Sequence, residues 1–328
     1  MFLGYLKRNI YAAFLFYLLT LFLLWIPHIL FHGNAADDIV VSQMPFQASL
    51  LNFLQLDGTS EKWLVFVFTY LNACLLWLLN VRHIFIKASE HLLPLCYILF
   101  ASAVPETQLV FGAQIAVSLL ILGIHYAFSA YLQKPGLTSI FMTAFCFALA
   151  SLFFSPAVTL LALVPIIILV LHPFAWRDWI VMIAGMAIPY FYVFLYYFLT
   201  TADITQVILI AEEHFFHTHL AVTMPNVSRL VYLLFFLILL IVALLSRFSH
   251  IAVTKAKNSY CYTISVWMLL LLLTGAIFYP ANNYLALPLV AVPAAMIVTN
   301  YFSILHWKKT RITLFLLYIT AVLIVQLF

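Results

Sequence analysis

The chain has 328 residues, 67% of them hydrophobic and 7% charged, and a formal net charge of +4. Ordinary soluble domains carry about 45–50% apolar and about 25% charged residues, so a water-soluble fold has too little polar surface to cover this one. The modest positive charge forms no basic patch interleaved with stacking aromatics, so nucleic acid is excluded as a partner.

A helix crossing a hydrocarbon core of about 30 Å needs about 20 mostly apolar residues. Apolar runs at 10–31, 63–82, 91–104, 108–132, 139–154, 156–172, 179–200, 229–246, 260–278, 284–302 and 312–328 give eleven candidate crossings. The runs are continuous, not alternating, which favours helices over a transmembrane barrel. The predicted fold is therefore an all-α, polytopic transmembrane helical bundle forming one membrane domain over 1–328. The first run follows Lys7 and Arg8 and is longer than a signal-peptide core, so it reads as an uncleaved span. Cys74, Cys96, Cys146 and Cys261 lie inside apolar runs without C-x-x-C spacing and read as small buried hydrophobes.

The two signs of charge separate along this pattern. With the N-terminus in the cytoplasm, twelve of the fourteen Lys and Arg residues fall on the inner side, and only Lys62 and Arg229 fall outside. Eight of the ten acids fall outside: Asp37, Asp38, Asp57, Glu61, Glu106, Asp203, Glu212 and Glu213. Retention of Lys and Arg on the cytoplasmic side orients helical membrane proteins. An odd number of crossings then puts the C-terminus in the periplasm, with the chain in the bacterial inner membrane.

Runs 91–104 and 139–154 are short for a crossing, and each closes on small residues and a proline: Ala101-Ser102-Ala103-Val104-Pro105 and Ala150-Ser151 through Ser155-Pro156. Their spacing suggests a weakly repeated hairpin that sets two short helices beneath one outward cavity; the bland alternative is that the short helices merely sit upright or at the bundle edge. Outside, residues 32–62 and 201–228 are long enough to hold amphipathic segments on the outer leaflet.

Asp37 and Asp38 lie just beyond the first span, a suitable place for a general base acting on a membrane-bound substrate. The dull alternative is a pair of loop acids that keep the segment out of lipid. Glu212 to His219 is the densest titratable stretch, with His214 and His217 at i, i+3 on one helical face. That spacing suits proton transfer, phosphate contact or, less often, a divalent metal; no complete metal ligand set is fixed and no cofactor is expected. Arg229 and Lys62, the two outward cations, suit a phosphate or pyrophosphate, since guanidinium matches phosphate oxygens in a fork. Both can instead snorkel to lipid headgroups. Asn72, Asn80, Gln114 and His125 are polar residues inside spans and read first as helix-to-helix glue.

The stretch His172-Pro173-Phe174-Ala175-Trp176-Arg177-Asp178-Trp179, followed by Gly185 and Ile188-Pro189-Tyr190-Phe191, resembles a family of polytopic inner-membrane proteins of Bacteroidota. Ala150 to Pro156 fits the same pattern. That resemblance implies topology and carries no activity. More loosely, the layout is similar to the GT-C class of polyprenyl-phosphate-dependent glycosyltransferases, in which a first outward loop bears an acid beside the lipid donor. The likeness implies Asp37 or Asp38 as that acid, and Arg229 or the histidines at the phosphate. The chain is short for that class and lacks the large extracytoplasmic domain that many of its members carry.

The leading expectation is an enzyme acting on a polyprenyl-phosphate-linked sugar at the periplasmic face, with membrane lipids around it. The alternatives are a non-catalytic scaffold that binds other membrane proteins of an envelope-assembly complex, and a lipid carrier or flippase.

Overall fold

The computed structural model describes residues 10–31, 58–84, 86, 91–131, 136–171, 176–201, 227–248, 256–278, 284–304 and 308–327. They form eleven α-helices and no strand among the described residues. In chain order these are α1 (Ile10–Phe31), α2 (Gly58–His83), α3 (Leu92–Ala101), α4 (Phe111–Ala130), α5 (Leu137–Phe153), α6 (Leu163–Leu171), α7 (Trp176–Thr201), α8 (Val227–Phe248), α9 (Ala256–Phe278), α10 (Leu287–Ile304) and α11 (Lys308–Leu327). Each apolar run of the sequence holds one α-helix. Four stretches, Ser60–His83, Phe111–Ala130, Trp176–Tyr196 and Lys257–Ile277, are long and apolar enough to cross a membrane.

Two helices occupy the centre. Every residue of α3 is buried, and so is Leu285 through Thr299 in and before α10. These two pack on one another, and α1, α2, α4, α9, α8 and α11 lie around them. Helix α5 extends the outer layer against α4, and α7 packs on α5 and α6. At ten residues α3 is about 15 Å long, half a hydrocarbon thickness.

Relative directions follow from paired contacts. Asn72 to Gln114 and His83 to His125 are both hydrogen-bonded over 42 positions, so α2 and α4 run parallel and in register. Phe14 meets Trp77 while Trp25 meets Phe66, so α1 and α2 are antiparallel. Tyr17 bonds His91 and Trp25 bonds Ser102, which sets α1 parallel to α3.

Close approaches use small residues. A Cβ on Gly185 of α7 would lie 2.8 Å from the Phe141 carbonyl oxygen of α5, and one on Gly275 of α9 would lie 2.8 Å from the Pro156 carbonyl oxygen. Small residues at such seams let helix backbones approach closely.

The short-helix expectation needs one revision. Helix α3 is as short as expected, but α5 has 17 residues, about 26 Å. The run 156–172, expected as one α-helix, divides into a 3₁₀ segment Ser155–Ala162 and the nine-residue α6. Pro156 is the cause: it has no N–H and favours the extended residue before it. The longer 3₁₀ rise restores a combined reach of about 30 Å. The same device closes α3, where extended Val104 leads into the 3₁₀ segment Pro105–Leu109. The repeat read from the sequence is thus a helix, a proline-led 3₁₀ segment and a second helix, occurring twice.

Candidate functional site at the carboxyl end of α3

A helix leaves four carbonyls without intrahelical partners at its C-terminus, and inside a bundle each needs a donor. At the end of α3 the donors come from the 3₁₀ segment that follows it and from α1 and α11. Thr107 Oγ1 donates to the carbonyls of Ala101 at 2.8 Å and Val104 at 2.6 Å. Gln326 Nε2 of α11 donates to the Ser102 carbonyl at 2.7 Å, and Trp25 Nε1 of α1 donates to Ser102 Oγ at 3.4 Å. The final turn of α11 and the later half of α1 are thereby tied to one point.

Satisfaction is incomplete at this end. Both polar atoms of the Gln108 amide are buried without a partner, and so is Gln326 Oε1. Gln108 is 2% exposed, on a segment that packs against α2 and the 3₁₀ turn Tyr284–Ala286. A buried polar atom left unpaired costs about 1–3 kcal/mol. In the first turn of α2, Glu61 lies beside the Phe111 backbone N–H at the start of α4. The half-buried Lys62 follows directly. Arg229 stands in the first turn of α8, one turn before the buried Tyr232. The Tyr232 hydroxyl bonds that of Tyr318, and Tyr318 and Phe236 pack edge-on against Phe100, near the end of α3.

Of the residues singled out from the sequence, Lys62 and Arg229 therefore lie on described helices. Asp37, Asp38, His214 and His217 lie outside the described residues, as do most of segments 32–62 and 201–228. Among the described residues no group of three His, Cys, Asp or Glu side chains is placed to hold a metal. Gln108, Gln326, Ser102, Thr107 and Trp25 were not singled out. Gln326 had a legible signal, an amide in the otherwise apolar last run. Gln108 had none, because a glutamine in a polar interruption reads as solvated.

The intramembrane glue residues behave differently. Asn72 Nδ2 donates to the Gln114 carbonyl and to Gln114 Oε1, each at 3.1 Å, and Ser118 Oγ donates to Asn72 Oδ1 at 2.6 Å. Tyr97 adds a hydrogen bond to Gln114 Oε1 at 3.3 Å. Asn80 serves the chain locally: its side chain exchanges two hydrogen bonds with the Ile86 backbone, holding the exit from α2.

The model of a family of unknown function, DUF6427, matches residues 38–328, and the chain belongs to that family. No curated protein and no solved structure matches it.

Proposed function

We propose that this member of the DUF6427 family is a polytopic inner-membrane protein of eleven crossings that acts on a polyprenyl-phosphate-linked sugar at the periplasmic face, as a GT-C-like glycosyltransferase. The orientation rests on the inward bias of Lys and Arg and agrees with the alternating directions of α1, α2, α3 and α4. In that orientation the carboxyl end of α3 faces the periplasm.

One observation carries the reading of the ligand. The unpartnered Gln108 amide and Gln326 Oε1 offer both a donor and acceptors in a dry setting, which a hydroxyl-rich group satisfies and a hydrocarbon tail does not. The cations Lys62 and Arg229, at the start of α2 and α8, suit the phosphate that joins sugar to lipid.

In the proposed reaction Asp37 or Asp38 takes the proton of an acceptor hydroxyl, whose oxygen forms a bond to the sugar C1. The bond from C1 to the phosphate oxygen breaks, and polyprenyl phosphate leaves with its negative charge held by Arg229. His214 or His217 assists by hydrogen-bonding the departing phosphate. The test is an Asp37→Asn, Asp38→Asn double variant scored for glycan or glycolipid assembly in cells. Loss of assembly with normal membrane levels is expected. Full assembly by that variant would sink the enzyme reading and leave the scaffold.

A further inference from the structure

The opposite end of the bundle carries a second cluster that the proposed reaction does not use. His83, at the last turn of α2, is 3% exposed, and its Nε2 lies 2.9 Å from His125 Nδ1 of α4. One nitrogen of this contact must donate and the other accept. With His83 Nε2–H donating, the hydrogen of His125 sits on Nε2, and His125 is half-buried. His83 Nδ1 is buried without a partner. It is best left as a bare lone pair, since an unpaired N–H there would cost more. The ring of His83 is further held edge-on by Phe128.

The charges that act on this pair are positive. Lys257, in the first turn of α9, and the exposed Arg82 both act on His83, and Arg82 acts on His125 as well. Helix α9 is fixed there by Tyr260, whose hydroxyl donates to the Ala127 carbonyl at 3.2 Å and whose ring stacks on Tyr131 at 5.0 Å. Arg82 of α2, Lys257 of α9 and the oriented imidazole N–H of His125 thus stand at neighbouring helix ends, with Arg82 acting on both rings and Lys257 on His83.

We propose that His125 Nε2–H, the Arg82 guanidinium and the Lys257 ammonium form a binding site for a phosphate group, with His83 as the positioning residue that fixes the His125 tautomer. The phosphate has two sources, a lipid headgroup of the adjoining leaflet or a soluble phosphate ester. Only the lipid source depends on the membrane orientation proposed above.

The test uses the full chain purified in neutral detergent, titrated with phosphatidic acid and separately with inorganic phosphate. Binding of the lipid by native mass spectrometry, unaffected by excess inorganic phosphate, is expected for a headgroup site. Binding of inorganic phosphate by calorimetry, with displacement of the lipid, is expected for a soluble ester. In either case Arg82→Gln weakens binding about tenfold, the scale of one charge-assisted hydrogen bond. Arg82 is exposed, so that variant keeps the fold. His83→Leu weakens binding similarly, whereas His83→Gln, which keeps an N–H donor toward His125, restores it; a purely structural role would not give that rescue. Failure of both probes to bind, or equal binding by wild type, Arg82→Gln and Lys257→Gln, overturns the proposal. Neither result touches the assembly test of Asp37 and Asp38 at the other end.

Discussion

Two sets of buried amides in this molecule have the same chemistry and opposite satisfaction. In mid-bundle, Asn72 and Gln114 are paired with each other and with Ser118 and Tyr97. At the carboxyl end of α3, Gln326 is half paired and Gln108 is not paired at all. The side-chain oxygens of both mid-bundle amides are occupied, and the pair joins α2 to α4. An unsaturated amide lowers the stability of the free protein and stands ready to gain on binding.

The largest test of this contrast is Asn72→Leu. It removes the donor to the Gln114 carbonyl and Oε1 and the acceptor at 2.6 Å from Ser118 Oγ, and a loss of about 2 kcal/mol is expected in thermal unfolding in detergent. Gln326→Leu removes the donor to the Ser102 carbonyl and should cost about 1 kcal/mol, because one bond is lost while an unpaired oxygen is also removed. Ser118→Ala deletes one partner of Asn72 and should cost about 0.6 kcal/mol, the usual size of a side-chain hydrogen bond within a membrane. Gln108→Leu should change stability by less than about 0.5 kcal/mol, or raise it, since no bond is broken. The same variant should lose retention of a lipid-linked sugar. Destabilisation of Gln108→Leu by as much as Asn72→Leu would erase the distinction between the two sets.

Much of the helical layout was legible in the sequence. The punctuation of the apolar runs fixes eleven helices, because a spanning backbone must satisfy its own polar groups and leaves few ways to fold. Prolines 105 and 156 announced the repeat, though not the 3₁₀ form that follows each of them. Side-chain pairing was not legible. His125 stands out as a polar residue inside an apolar run, but its partner His83 falls one residue past the run 63–82, and only the parallel register of α2 and α4 brings them together. Of the site residues read from the sequence, Lys62 and Arg229 lie on described helices, near the starts of α2 and α8. Gln108 became notable only through burial, a property set by α2 and the Tyr284–Ala286 turn, far from it in sequence.

The register of α2 against α4 has a mechanical consequence. Its two rungs, Asn72 with Gln114 and His83 with His125, are eleven residues apart on both helices, about 16 Å along the axis. Sliding by one turn would break both rungs at once, so the pair moves as a single strut. Any rocking within the bundle must then be taken up by the peripheral helices, foremost α7, whose candidate span is only 17% buried.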